Sequence, residues 1–203
     1  MLFVKYVSDV WKDKKNFYAT KYNGDTARIE RALANERFKL PENATFEFLF
    51  ENRNEPNLGE LINTSLERIE DANRSKLDRV FRSIDFNSEN NLGQTKDRNR
   101  RLKNLLVDFA AMDLQPSHLD GNDIIGDAYE YLMRHFATES GKSKGQFYTP
   151  SEVSTILPQI IGINENTTSR QTIYDPTCGS GSLLLKASAL APNGLSIYGQ
   201  EKE

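Results

Sequence analysis

The stretch Gln171-Thr-Ile-Tyr-Asp-Pro-Thr-Cys-Gly-Ser-Gly-Ser-Leu-Leu184 decides how the carboxyl part of this chain folds. Gln171 to Tyr174 is a short β-favouring run, Pro176, Gly179 and Gly181 punctuate a turn, and Leu183 to Leu190 is apolar and helix-favouring. The order predicts strand, tight turn, helix. Glycines in such a turn permit positive φ and let a ligand approach the backbone, while the helix start offers unpaired N–H groups. A second apolar run, Leu195 to Tyr198, ends in Gly199-Gln200-Glu201. In a βαβ unit, Glu201 then sits at the carboxyl end of the second strand, where a carboxylate can accept hydrogen bonds from two ribose hydroxyls. Bonds to an ionised carboxylate contribute roughly 1.5–3 kcal/mol each.

Other nucleotide folds fit less well. A dinucleotide fingerprint requires a third glycine and a phosphate P-loop ends in Gly-Lys-Ser/Thr, whereas Gly179-Ser-Gly181 is followed by Ser182-Leu183-Leu184. Asp175 at the strand end would put a carboxylate beside a diphosphate. A cationic or zwitterionic ligand suits it better, which makes a nucleotide-dependent oxidoreductase the weakest reading.

Taken together, these residues resemble a known family. Asp175-Pro-Thr-Cys-Gly-Ser-Gly181 resembles the S-adenosylmethionine loop of the N6-adenine DNA methyltransferases, and Gly145-Gln-Phe-Tyr-Thr-Pro150 resembles their second cofactor motif. In one circularly ordered subgroup the second motif precedes the first, as it does here. Leu2-Phe-Val-Lys-Tyr-Val-Ser-Asp9 and Gly126-Asp-Ala-Tyr-Glu-Tyr-Leu132 are similar to the N-terminal helical region of the modification (M) subunit of type I restriction-modification systems. The resemblance implies a helical N-terminal domain, 1–137, followed by the truncated start of a Rossmann-like α/β methyltransferase domain, 138–203. It implies S-adenosyl-L-methionine as cofactor, methyl transfer to adenine in DNA, and work with specificity (S) and restriction (R) subunits. Gln146, Phe147, Tyr148, Thr149, Pro150 and Ser151 would line the methionine side of the cofactor. Asp175, Gly179, Ser180, Gly181 and Ser182 would form the loop around it, and Glu201 would hold the ribose. Phe147 or Tyr148 would face the sulfonium, a cation–π contact worth about 0.5–2 kcal/mol.

The catalytic loop of that family is Asn/Asp-Pro-Pro-aromatic, which holds the flipped adenine amine. Pro41, Pro56, Pro116, Pro150, Pro158, Pro176 and Pro192 are all isolated, so the chain has no Pro-Pro pair. The expectation is a truncated chain without a catalytic residue, inactive in methyl transfer by itself. The alternative is a non-catalytic module that docks on DNA or a subunit and carries a vestigial cofactor loop.

The apolar face of Leu2, Phe3, Val4, Val7, Val10 and Trp11 starts without a capping residue, which reads as a cut amino end. Lys5, Asp9 and the charges from Lys12 to Lys15 interrupt it, against a signal peptide. No run approaches the ~18 apolar residues that cross a bilayer, and the single cysteine excludes an internal disulfide. These features place the chain in the cytoplasm. Cys178 reads as a small side chain under the loop, and no His, Cys or paired carboxylate cluster has metal-ligand spacing.

The net charge is −3, yet 74–103 is basic, with Arg74, Lys76, Arg79, Arg82, Lys96, Arg98, Arg100, Arg101 and Lys103. It reads first as a solvated helix face and loop, with phosphate contact as the alternative. Helices are expected over Leu2–Tyr18, from an Asp25-Thr26 cap to about Glu36, and along the stripes Leu58–Ile69, Leu102–Phe109 and Ile124–Phe136. Phe46 to Phe50 is ambiguous between helix and strand. The polar segment 138–150 reads as a loop that orders over a ligand, with Thr149 capping the next helix and Pro150 at its first position. A sheet with only two strands leaves an open edge, so the carboxyl third is expected to be loosely packed or completed by another chain.

Overall fold

The computed structural model describes residues 1–118, 126, 128, 131, 132, 135, 149–179 and 181–202, with only the backbone described at 151. The chain divides into two units, Met1–Asn122 and Asp123–Glu203. The expected boundary near 137 and most of the Ile124–Phe136 stripe lie outside the described residues.

The first unit is helical: α1 Leu2–Lys21, α2 Thr26–Ala34, α3 Phe46–Glu51, α4 Leu58–Ala72, α5 Arg74–Leu77, α6 Glu89–Leu92 and α7 Thr95–Ala110. Short 3-10 turns lie at Glu42–Ala44 and Pro116–His118. Asp25 caps α2 as expected, its Oδ1 accepting from Arg28 N at 3.1 Å. The ambiguous Phe46–Phe50 run is helical because Thr45 Oγ1 accepts from Phe48 N at 3.0 Å, giving the segment a helix start. Phe46 and Leu49 then face inward with Val4, Leu58, Ile62, Ile69, Leu102 and Leu106.

Several polar groups inside this core are matched. The interruptions Lys5 and Asp9 are both buried and joined Nζ to Oδ1 at 2.7 Å, with the Lys5 ammonium 5.2 Å from the centre of the Phe46 ring. The second Asp9 oxygen accepts from Leu114 N at 2.8 Å, and Ser8 Oγ accepts from Phe46 N at 2.8 Å. Glu70 accepts from Arg79 N and Phe81 N and pairs with Arg82. Burial pushes the Glu70 carboxyl up, but the two amides and the guanidinium together hold it below the usual range. Asn73 ties α4 to the segment at Lys39, exchanging hydrogen bonds with Lys39 N and O at 2.8 and 2.7 Å.

The second unit is a βαβ unit preceded by a helix. α8, Ser151–Ile160, is followed by β1, Thr172–Asp175, α9, Ser182–Ala189, and β2, Ser196–Gly199. The strands pair in parallel with Thr172 opposite Ser196 and Asp175 opposite Gly199. Parallel pairing requires a crossover, which α9 supplies, and α8 packs on α9. Among the described residues the buried cluster is small: Ile163, Ala187 and Ala191, with Ile173, Leu190 and Leu195 partly buried against them. One expectation is corrected at α8. Pro150 lies outside the helix, since its ψ of 144° is extended, and Thr149 makes no cap; Pro150 is itself the residue whose carbonyl accepts from Ser154 N at 3.0 Å. Beyond the end of α8, Gly162 has φ of +87°, which lets Ile163 N reach back to Pro158 O at 2.9 Å.

Candidate functional site

The glycine turn is held by the ends of both strands. Beyond Asp175 and Gly199 the backbone ladder continues, with Gln200 N donating to Asp175 O and Cys178 N to Gln200 O, each at 2.9 Å. Asp175 Oδ1 accepts from Thr177 N at 3.0 Å, closing a local turn at the strand end. Gly179 and Gly181 have φ of +52° and +79°, a region that costs an L side chain strain. Gly181 N folds back on Cys178 O at 2.7 Å, and α9 begins at the next residue, Ser182. Among the described residues no atom lies within 4 Å of where a Cβ would sit on Gly179 or Gly181, so the space over the turn is open.

Glu201 closes the arrangement. Its Oε2 accepts from Gly179 N at 2.6 Å across 22 residues of sequence, and its Oε1 from Lys202 N at 3.0 Å. Tyr174 Oη donates to Gln200 Oε1 at 2.7 Å, fixing the residue between Gly199 and Glu201. Gly199 has no room for a side chain: a Cβ there would stand 2.9 Å from Cys178 Sγ and 3.1 Å from Leu184 Cδ1. Cys178 therefore packs beneath the turn against β2.

The structure thus brings Asp175, Gly179, Gly181, Ser182 and Glu201 to one strand-end cluster. Gln146, Phe147, Tyr148 and Ser180 lie outside the described residues, as does the side chain of Ser151. Thr149 and Pro150 are exposed ahead of α8, and among the described residues no hydrogen bond links them to the turn. Gln200 and Tyr174 were not foreseen as part of the cluster. Their signal was the register of two adjacent strands, which sets Tyr174 near the residue after Gly199.

The cluster favours some ligands over others. The described amides of the turn, Thr177, Cys178, Gly179 and Gly181, are all engaged within the chain. A phosphate cradle needs such groups free. Two carboxylates beside open space suit instead a ligand that donates hydroxyl protons or carries positive charge.

The basic segment is less exposed than its sequence indicates. Arg98 is 8% exposed, with Nη1 donating to Asn87 O at 3.1 Å and Nη2 to Thr95 Oγ1 at 3.4 Å, so it is removed from any phosphate-facing set. The reason is its place on the α7 face that packs inward with Leu102. Arg74, Arg79, Arg82 and Arg100 pair with Asp71, Asp78, Glu70 and Asp97 at 2.9, 3.7, 3.5 and 3.1 Å. Among the described residues no three His, Cys, Asp or Glu side chains could hold a metal ion, and no helix is long and apolar enough to cross a membrane.

A helical unit followed in sequence by a parallel βαβ unit with an acidic, glycine-rich strand end defines the class as a helical domain joined to the start of an α/β domain. Residues 1–109 match the family described as HsdM N-terminal domain, and residues 120–203 match N-6 DNA Methylase. The chain belongs to the family of type I restriction-modification methylase subunits. It is 34% identical over 197 residues to the type I restriction enzyme MpnII methylase subunit of Mycoplasma pneumoniae, covering 89% of this chain and 36% of that protein. It is 28% identical over 170 residues to the MjaIX methylase subunit of Methanocaldococcus jannaschii, covering 81% and 28%. The crystal structure of a type I restriction-modification methyltransferase subunit from Streptococcus thermophilus superposes with a TM-score of 0.75 at 28% identity, covering all of this chain and 47% of that one. The chain therefore spans about a third of the length of the curated relatives it matches.

Proposed function

We propose that this chain supplies the helical amino-terminal region and the opening of the cofactor site of an adenine-N6 DNA methyltransferase. Its cofactor is S-adenosyl-L-methionine, its substrate is DNA, and it acts in the cytoplasm with specificity and restriction subunits. The observation that carries this reading is the convergence of Asp175 and Glu201 on a glycine turn whose described amides are already engaged. That donor set fits a cation with a free ribose and opposes a phosphate. When bound, the cofactor supplies an electrophilic methyl group on a sulfonium.

The roles of the chain's own residues follow from their atoms. Glu201 keeps acceptor capacity on both oxygens for a ribose diol, because each carboxylate oxygen offers about two lone-pair sites and one is in use on each. Asp175 puts negative charge at the strand end, favouring the zwitterionic cofactor. Gly179 and Gly181 keep the space above the turn free of side chains. Gln146, Phe147, Tyr148, Thr149, Pro150 and Ser151 are proposed to cover the methionine side, with Ser180 and Ser182 completing the loop. No adjacent prolines occur in the sequence, so holding the adenine amine requires residues that this chain does not contain, and methyl transfer by it alone is not expected.

Calorimetric titration with S-adenosylhomocysteine tests the reading. Asp175→Ala and Glu201→Ala should each weaken binding about tenfold or more, the equivalent of one charge-assisted hydrogen bond, with the helical circular dichroism unchanged. Affinity equal to that of the unaltered chain in both variants would sink it.

A further inference from the structure

Four described amides face the glycine turn, and two of them are satisfied by carboxylates: Thr177 N by Asp175 and Gly179 N by Glu201. The other two, Cys178 N and Gly181 N, are bonded to backbone carbonyls of Gln200 and Cys178. Gly179 is the one that depends on a side chain distant in sequence, and its residue is exposed. We propose that Glu201 is a latch and a filter: it fastens the turn to the end of β2 before any ligand arrives, and it denies the turn's amide to phosphate-bearing nucleotides. This deepens the cofactor reading above and rests on it for the identity of the accepted ligand.

The argument is one of donors and acceptors. A ribose hydroxyl is a donor, and the Glu201 carboxylate has acceptor sites left after binding Gly179 N and Lys202 N. Hydroxyl binding therefore adds to the latch without opening it. A phosphate oxygen is an acceptor and an anion, so it must displace Glu201 from Gly179 N and then lie beside two carboxylates. The same residue welcomes one class of nucleoside ligand and rejects another. In a phosphate-binding glycine turn that amide points at the ligand; here a side chain of the same chain has taken the place.

Two substitutions separate geometry from charge in the 203-residue chain. Glu201→Ala removes the acceptor; Glu201→Gln keeps a carbonyl oxygen for Gly179 N and removes the charge. Amide hydrogen exchange at Gly179, measured by NMR without ligand, should speed up about tenfold in Glu201→Ala and change little in Glu201→Gln, with Ile62 in the other unit unaffected. Titration with pyrophosphate, which carries no ribose for Glu201 to hold, should show about tenfold tighter binding to Glu201→Gln than to the unaltered chain. Unchanged Gly179 exchange in Glu201→Ala overturns the latch, and equal pyrophosphate affinity in Glu201→Gln overturns the filter. Neither readout uses S-adenosylhomocysteine. If both effects appear while S-adenosylhomocysteine fails to bind, the latch and filter stand and the cofactor reading falls.

Discussion

A buried pair and a buried glycine show how single residues set the first unit. Lys5 and Asp9 share a helix face one turn apart, and each is matched: Lys5 by the carboxylate and a ring face, Asp9 by the ammonium and Leu114 N. Removing one member of such a pair leaves a buried charge and costs more than the pair contributes. Asp9→Ala should therefore lower unfolding free energy by about 3–5 kcal/mol, read from the midpoint and slope of urea unfolding. Lys5→Met should cost less, because Asp9 keeps the Leu114 amide. The reverse order would show that the Leu114 amide does little for Asp9 and that the orphaned carboxylate is the costlier buried charge. The glycine is Gly59. A Cβ there would stand 2.4 Å from Phe86 O, a backbone atom, so α4 or the 86 segment must move. The clash, about 1–3 kcal/mol, outweighs the roughly 1 kcal/mol of helix propensity that alanine gains over glycine. Gly59→Ala should melt at a lower temperature; a higher melting point would contradict the close approach.

At the scale of elements, the parts legible in the sequence were those whose partners are near in sequence. β1, the glycine turn, α9 and β2 follow one another, and local turn chemistry and periodicity were enough to place Asp175, Gly179, Gly181 and Glu201 together. Asp25 was legible as a cap because its acceptor role ends three residues away. Phe46–Phe50 was not, because Phe at every second position with Glu47 and Leu49 between fits either period, and the decision came from Thr45 and from burial beside Ser8 of a helix distant in sequence. Lys5 and Asp9 looked like breaks in an apolar face because Leu114 lies 105 residues on from Asp9. The turn after α7 offers a pH test of such local chemistry. His118 Nδ1 lies 2.6 Å from Asp113 Oδ2, and Gln115 N donates to Oδ1 at 3.1 Å. His118, then the Gln115 amide, bring the Asp113 carboxyl down to about 2. A depressed carboxyl contributes stability above its unfolded value of 3.8, and that contribution is lost as pH falls from there through about 2. His118→Ala should raise the Asp113 value toward 3.8 in an NMR carboxyl titration and shift the acid edge of stability of the Pro116–His118 turn upward. An Asp113 value that stays near 2 would assign the effect to the Gln115 amide alone.

For the molecule as a whole, the two units are built on very different amounts of buried surface. Among the described residues, the helical unit buries thirteen apolar side chains in one cluster, including seven leucines; the buried cluster of the second holds Ile163, Ala187 and Ala191, with Leu184 and Pro158 also buried. Burying a leucine-sized side chain contributes roughly 1.5–3 kcal/mol, whereas alanine contributes far less. The second unit also leaves Ile156, Ile160, Ile161, Tyr174, Leu185 and Tyr198 more than half exposed, and its described sheet has two strands, each with one unpaired edge. Two strands with a single crossover are marginal by themselves in water. Unequal local stability follows. In native-state hydrogen exchange, the amides of Ile173 and Ile197 should exchange at least about a hundredfold faster than those of Ile62 and Leu106, a gap of about 2.7 kcal/mol in opening free energy. Adding S-adenosylhomocysteine should narrow the gap through the second unit only, since a ligand stabilises the state it binds. Equal protection in both units without ligand would mean that the exposed faces of α8 and α9 are covered in solution, and size-exclusion chromatography with light scattering would then show whether a second copy covers them.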